Sequence, residues 1–271
     1  MGPFMPDEST LSICSWNVNS LKVRFEQVKQ RLETQRWDIV CLQETKTTDD
    51  RFPYEAIKAI GYAAFHAGQP TYNGVATLVR MDRFEHMVLI QARLPHGDDP
   101  QQRFLLAQFD DLLIANVYVP NGQSVDSEKY GYKLSWLDHL LKFLNDTDCC
   151  SRPFVLLGDF NIAPQDLDVH DPEQWRGQVL CSAPERDRFQ QLLELGLVDS
   201  LRHIDPTTRL YSWWDYRQLA FQKNKGLRID HILVSQAMLP RLTACEINRQ
   251  ARKAEKASDH APVIARFKKL L

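Results

Sequence analysis

The chain runs to 271 residues, of which 44% are hydrophobic and 25% charged, with a formal net charge of −2 at pH 7. That length allows one large domain or two small ones around a substantial core, and the composition excludes global disorder and a protein that is basic all over. Six cysteines, with Cys149 and Cys150 adjacent and no C-x-x-C pair, exclude a disulfide scaffold and a zinc ribbon and point to reduced thiols.

The amino terminus, "MGPFMPDEST", lacks a basic segment followed by an apolar one, and no apolar run reaches the roughly eighteen residues of a membrane span. A soluble, unexported, cytoplasmic protein is expected, nucleoid-associated if it is bacterial. Residues 1–10 read as a short tail, and the second methionine, Met5, leaves open that "MGPF" is foreign to the natural chain.

"LSICSW" reads as the first strand, followed by a helix whose apolar residues Leu21, Phe25, Val28 and Leu32 are spaced at helical intervals. "DIVCLQ" and "GVATLV" are the next strands, and "RFLLAQF" and "LLIANVYV" flank Asp110-Asp111 as an antiparallel hairpin. A second helix carries Tyr130, Leu134, Leu137, Leu141 and Leu144, and "PFVLLGDF" is a short central strand, apolar on both faces, that Pro164 brings to an end. "PERDRFQQLLELG" has the proline, acids and glycine that punctuate a helix, and "LRIDHILV" and "APVIARF" close the series. No linker, repeat or glycine-rich phosphate loop interrupts it. The economical architecture is α/β of the α+β kind: one domain over residues 11–271, two packed, mostly antiparallel mixed sheets, and helices outside.

Polar residues gather where these strands end. "SWNVN" carries Asn17 and Asn19, "CLQET" Gln43 and Glu44, "YVPNG" Tyr118 and Asn121, "GDFN" Asp159 and Asn161, "RIDHI" Asp230, and "SDHAPV" Asp259 and His260. Singly, each is ordinary turn chemistry. Together, on one edge of two sheets, they describe a site for hydrolysis with a hard cation, because Mg²⁺ takes oxygen ligands and keeps several waters. Glu44 suits a direct ligand, supported by Asn17. Asp159 suits a base or orienter for the attacking water, and Asn161 a holder of that water or of a phosphate oxygen. Adjacent side chains on an extended segment point apart, so the more distant Asp230 is a better partner for His260 than Asp259; which of Asp159 and His260 handles the proton stays open.

The stretch "YSWWDYRQLAFQKNKGLR" follows Trp213 and Trp214 with Arg217, Lys223, Lys225 and Arg228, joining stacking surface to phosphate-binding charge. It opens a segment, 217–256, with nine Lys or Arg against three acids, which reads as a solvated face or as a phosphate-binding stripe.

"WNVN", "LQETK", "YVPNG", "GDFNIAP", "YSWWDYR", "LRIDHIL" and "SDHAPV" occur in an order that resembles the exonuclease III family of DNA repair nucleases, within the endonuclease/exonuclease/phosphatase superfamily, from Leu11 to Phe267. The resemblance implies a four-layer sandwich and divalent-metal-dependent hydrolysis of phosphate esters, with Mg²⁺ as cofactor and Mn²⁺ able to substitute. The implied partner of a monomeric enzyme is double-stranded DNA with abasic sites, nicks or blocked 3′ ends. Carried over, the metal set is Glu44 with Asn17, Asp159, Asn161, Asp259 and His260, and the catalytic set Tyr118, Asp159, Asn161, Asp230 and His260. Asn121 and Lys133 look like phosphate contacts. Trp213, Leu227 and Ile229 look like the walls of a pocket for an extrahelical abasic sugar, with Arg217 on the DNA beside them.

His170, in the loop "QDLDVHDPEQW", reads either as an exposed loop histidine or as a ring crowding the channel on the 3′ side of the scissile bond. In the second case trimming of 3′ ends exceeds abasic-site incision. A same-fold phosphatase of a small or lipid phosphate is the alternative, and it predicts indifference to duplex DNA. An inactive DNA-binding module is disfavoured, since Glu44, Asp159 and His260 are all present.

Overall fold

The computed structural model describes residues 9–95 and 99–269. Most of the tail expected over residues 1–10 lies outside the described residues.

In chain order the elements are β1 (Thr10–Asn17), α1 (Leu21–Gln35), β2 (Ile39–Gln43), α2 (Tyr54–Lys58), β3 (Tyr62–Ala67), β4 (Val75–Arg80), β5 (Met87–Gln91), β6 (Phe104–Phe109) and β7 (Leu112–Tyr118). There follow α3 (Glu128–Thr147), β8 (Phe154–Asp159), α4 (Pro172–Trp175), α5 (Ala183–Glu194), β9 (Leu197–Asp199), α6 (Ser200–Ile204), β10 (Asp230–Ser235), β11 (Leu242–Ile247) and β12 (Val263–Lys268). They build two six-stranded sheets, ordered β11-β12-β1-β2-β4-β3 and β5-β6-β7-β8-β10-β9. Among the described residues only the central pairs β1–β2 and β7–β8 are parallel; each needs a helical crossover, supplied by α1 and α3. The remaining pairings are antiparallel, including the hairpin β6–β7 at Asp110-Asp111.

The sheets pack through the inward residues of their strands. Ile13, Ile39, Cys41, Val75 and Val79 of the first meet Leu105, Ile114, Val155, Leu157, Ile232 and Val234 of the second in one buried cluster. The outward residues bury helices: Trp16, Val40 and Leu42 cover Leu21, Val28 and Leu32 of α1, while Leu113, Ala115 and Leu156 cover Trp136, Leu140 and Phe143 of α3 and Phe189 and Leu192 of α5. The result is the expected four-layer sandwich. Truncating a residue of the inner layer such as Leu157 to alanine costs about 2–5 kcal/mol.

Gly158 shows how closely β7 and β8 approach. Its φ is 148°, and a Cβ there would lie 1.9 Å from the Val117 carbonyl oxygen, so the position before Asp159 admits no side chain.

The expected strands and helices are present, and β3, β5, β9 and β11 and the short helices α2, α4 and α6 are additions. β5 was hidden because Val88, Leu89 and Ile90 are exposed on an edge strand, without the alternation that marks a half-buried one.

Candidate active site

Each site-bearing strand carries its inward face from apolar to polar as it nears one edge of the sandwich. On β1 the inward series is Ile13, Ser15, Asn17; on β7 it is Ile114, Asn116, Tyr118; on β8 it is Val155, Leu157, Asp159. β10 runs the other way and begins with Asp230 before Ile232 and Val234. The two-residue period of a strand thus delivers these side chains to the same edge, and register completes the row: Tyr118 lies opposite Asp159, and Asp159 opposite Asp230. Beneath them Gln43 Nε2 donates to Asn116 Oδ1 at 2.9 Å, tying the two sheets together. Gln43, polar at a strand end, is therefore a buried tie between layers.

Above this tie, Asn17 Nδ2 donates to Glu44 Oε1 (2.8 Å) and Asp159 Oδ2 (2.9 Å), bridging carboxylates from the two sheets. Glu44, Asp159 and His260 each offer a ligand atom, and these atoms lie within 4.8 Å of one another. His260 Nδ1 is 2.8 Å from Asp230 Oδ2, which fixes the ring and turns Nε2 toward Asp159 Oδ2, 3.8 Å away. Burial opposes charge on His260, but Asp230 and Asp159 outweigh it and push the imidazole up to about 10. Burial pushes the Asp159 carboxyl up to about 7, with His260 pulling it down and Asp230 pushing it further up. Burial, then Glu44 and Asp159, raise the Tyr118 hydroxyl well above its ordinary value, so it stays a donor.

Asp259 sits beside this group. It accepts from Asn19 Nδ2 (2.9 Å) and Trp213 Nε1 (3.0 Å); burial favours its neutral form, but His260 and these two donors hold its carboxyl below the ordinary value. Glu44, Asp159, Asp230 and Asp259 are faced by Lys46, 2.9 Å from Glu44, by His260, and by Arg252, which acts on Asp259. Asp230 Oδ1 is buried with no hydrogen-bond partner among the described residues. A set rich in carboxylate oxygen, short of positive charge and holding an orphaned acceptor fits a hard divalent cation, which Glu44 and Asp159 would hold, with the protonated His260 beside them.

The model of the endonuclease/exonuclease/phosphatase family matches residues 14–260. The chain belongs to this family. It is 37% identical over 270 residues to the exodeoxyribonuclease III of Haemophilus influenzae, a match covering 95% of this chain and all of the relative. A solved 3′ phosphatase, NExo, from Neisseria, bound to a product DNA hairpin, shares 44% identity with a TM-score of 0.89 over 96% of this chain and all of that one. An AP endonuclease from Archaeoglobus fulgidus shares 35% identity with a TM-score of 0.91 over the same shares. The exonuclease III and AP endonuclease members of the family are hydrolytic DNA-processing enzymes.

Within this member of the endonuclease/exonuclease/phosphatase family, the structure brings some of the residues singled out from sequence together and places others elsewhere. Asn17, Glu44, Tyr118, Asp159, Asn161, Asp230, Asp259 and His260 come together as described. Two of the expected metal ligands differ in detail. The Asn17 oxygen accepts from the Asn19 backbone (2.9 Å), and the Asn161 oxygen accepts from Asn121 Nδ2 (3.0 Å), so both amides turn their nitrogen toward Asp159. They hold the carboxylate in place instead of adding oxygen ligands. Asp259 also lies outside the three-ligand cluster, its oxygens taken by Asn19 and Trp213.

Lys133, expected as a phosphate contact, is fully buried. Its three donors are taken by the carbonyls of Asn121 (3.1 Å) and Asn161 (2.6 Å) and by Glu185, the capping residue of α5. It braces the asparagines that face the site. Leu227 and Ile229 are 0% and 1% exposed, packed with Ala163, Val169 and Leu180, so they back the site wall without lining an open pocket. Trp213 is half-buried in front of them, and Trp214 is core. Arg217 stands in solvent, paired with Asp215, and Arg228 leaves the basic stripe altogether, buried between Asp168 and Asp199. His170 is half-buried, its backbone N–H donating to the Gly226 carbonyl (3.1 Å) and its ring edge-on to Trp175. The bridges Val169–Leu227, Leu227–Trp213 and Trp213–His260 link its loop to the segment of His260.

Sequence reasoning passed over Lys46 and Glu185. The lysine stands in the quoted "LQETK" motif, whereas nothing local marks Glu185, whose partner Lys133 is distant in the chain.

Proposed function

We propose that the chain is a Mg²⁺-dependent DNA repair phosphodiesterase, with Mn²⁺ able to replace Mg²⁺. It removes phosphates and phosphodiester blocks from 3′ ends at nicks, degrades duplex DNA from the 3′ end, and incises abasic sites more slowly. The observation that carries this is the convergence of Glu44, Asp159 and His260 beside an orphaned Asp230 oxygen, at the edge where both sheets turn polar.

When bound, the cation supplies charge neutralisation for a phosphate's non-bridging oxygens. Asp159, with its carboxyl pushed up by burial, accepts the proton of the attacking water, held in line by Asn17 and Asn161. His260 keeps its proton because Asp230 backs it, and presents Nε2–H to charge developing on the phosphoryl group. The Tyr118 hydroxyl donates from the neighbouring strand, and Asn121, exposed beside Asn161, supplies a further amide. Trp213 offers a partly exposed face, and Arg217 a charge, to the DNA.

The preference for 3′ ends rests on His170. Its loop belongs to the ladder that ends at His260, and the Neisseria relatives are described as a 3′ phosphatase and a 3′-5′ exonuclease. Two matched duplexes test it, one with an internal abasic-site analogue and one with a nick bearing a 3′-phosphate. Rapid phosphate release with slow incision is expected, both abolished by EDTA, with His170→Gly raising incision alone. Equal rates on both duplexes, or incision unchanged in the variant, would return His170 to an ordinary loop position; EDTA-resistant cleavage would overturn the metal assignment.

A further inference from the structure

The segment that carries Glu44 is held in an unusual way. Glu44 and Lys46 are both left-handed, with φ of 52° and 51°, a conformation that neither side chain favours. Between them Thr45 is fully buried. Its carbonyl accepts from the Leu21 backbone N–H (3.0 Å) at the start of α1, and its own N–H donates to the Gly74 carbonyl (3.1 Å). Those bonds fix the path of the chain and leave the side chain to a partner on another strand.

That partner is His66, in β3. Thr45 Oγ1 lies 2.9 Å from His66 Nε2, and the ring is enclosed, stacked on Phe52 with centroids 4.1 Å apart. His66 Nδ1 is 2.8 Å from Asp49 Oδ1, off the line of the ring N–H, so this contact is electrostatic more than a directed hydrogen bond. Burial lowers the His66 imidazole to about 4 against the pull of Asp49, so the ring is neutral. With the proton on Nδ1 facing the carboxylate, Nε2 is an acceptor and Thr45 donates. Gly74 completes the fit: its φ is 87°, and a Cβ there would lie 2.2 Å from Thr45 Oγ1.

We infer that His66 is a positioning residue for the metal site: through Thr45 it holds the left-handed turn that presents Glu44 to the cation and Lys46 to Asn19 and Glu44. The inference rests on the metal-dependent reading above. His66 touches none of the ligands, yet the hydroxyl it receives belongs to the residue between Glu44 and Lys46. With that bond lost, Thr45 is tied through its backbone alone, and the Glu44 carboxylate loses a support for its place beside Asp159 and His260.

The test measures Mn²⁺ binding directly, by electron paramagnetic resonance on the DNA-free full chain, alongside turnover on the nicked 3′-phosphate duplex. His66→Phe keeps the volume and the stack on Phe52 but removes the acceptor; Thr45→Val removes the donor. Each is expected to raise the Mn²⁺ dissociation constant about tenfold, which is about 1.4 kcal/mol. The double variant is expected to be no weaker than either single one, because both delete the same bond. His66→Gln, whose amide oxygen can accept from Thr45, is expected to restore binding to within about threefold of the parent, by the same conversion. Unchanged Mn²⁺ binding in His66→Phe with a merely lower melting temperature, or additive losses in the double variant, would overturn the inference. A parent chain that binds no Mn²⁺ would instead overturn the metal reading on which it rests.

Discussion

Two buried clusters of charge lie on either side of β10, and they are built on opposite principles. On the inward side Glu44, Asp159, Asp230 and Asp259 outnumber Lys46, His260 and Arg252, and one Asp230 oxygen has no hydrogen-bond partner among the described residues. On the outward side Asp168 and Asp199 are matched by Arg202 and Arg228. Arg228 Nε lies 2.6 Å from Asp168 and its Nη1 2.7 Å from Asp199, with backbone N–H groups of Gln165 and Leu201 taking up further oxygens. The balanced cluster matches its charges within the fold, although Arg202 Nε is itself without a hydrogen-bond partner among the described residues, and it fastens the His170 loop and β9 to the strand. The unbalanced one costs the metal-free fold stability and gains a function: a burial deficit of positive charge is what a divalent cation fills.

The sharpest way to break this comparison is to neutralise one acid on each side. Asp159→Asn is expected to cost about 10²–10³-fold or more in turnover on a nicked 3′-phosphate duplex, the scale of losing one transition-state contact. Its metal-free melting temperature should hold or rise, because burial already pushes the Asp159 carboxyl up to about 7 and the amide carries no charge to desolvate. A fall in stability together with activity would make Asp159 an ordinary structural acid. Arg228→Met should do the reverse. Removing it strands Asp168 and Asp199 in the interior at about 3–5 kcal/mol, read by urea denaturation, while turnover per folded molecule falls far less.

His231 extends the contrast to pH. It sits on the Arg228 side, fully buried, and burial together with Arg228 lowers its imidazole to about 4, against 6.5 in an unfolded chain. Its Nδ1 accepts from Arg228 (3.0 Å) and its Nε2–H donates to the Ile162 carbonyl (2.9 Å), both fixing the neutral ring. As pH falls below 6.5 the unfolded chain takes the proton first. The stability His231 contributes is therefore complete above 6.5 and is lost as pH falls toward 4, by about 1.4 kcal/mol per unit. His260 works in the opposite sense, since its raised value adds stability below 6.5 that disappears as pH climbs through about 10. Denaturation of the parent and of His231→Gln across pH 4–8 separates the two, and a difference curve that is flat in pH would refute the assignment.

How much of this could be read from the chain depends on how local each signal is. Asp159 was legible because Gly158, Asn161 and Pro164 punctuate its strand within a few residues, and the pairing of Asp230 with His260 followed from adjacent side chains pointing apart. The helices α1, α3 and α5 announced themselves by spacing and caps. Lys133 was placed at the substrate because a lone lysine in a sequence carries no mark of burial; Glu185, which draws it inward, lies 52 residues away. Arg228 was counted in a basic stripe for the same reason, its partners Asp168 and Asp199 lying on other segments. Leu227 and Ile229 were assigned to a pocket, but apolar side chains at a site wall pack against one another unless something holds them apart, and Val169 and Leu180 close over them. The support of Glu44 by His66 was invisible because β3, rich in small residues, did not read as a strand.

The mildest test concerns Arg217, proposed to face DNA and not the interior of the molecule. It makes a forked contact with Asp215, but its side chain is 85% exposed, and a pair so open to water adds little to folding. Arg217→Ala should therefore leave the melting temperature unchanged. Its effect should appear in the salt dependence of duplex binding: each phosphate contact contributes about 0.9 to the slope of log K against log salt, so losing one flattens the slope by about that amount. The loss should be uniform across sequences, since a charge standing in solvent positions the backbone and reads no base. An unchanged slope would mean that Asp215 keeps Arg217 for itself when DNA is bound. The charge for the duplex would then have to come from Lys223 or Lys225 further along the same loop, and successive alanine variants there would locate it.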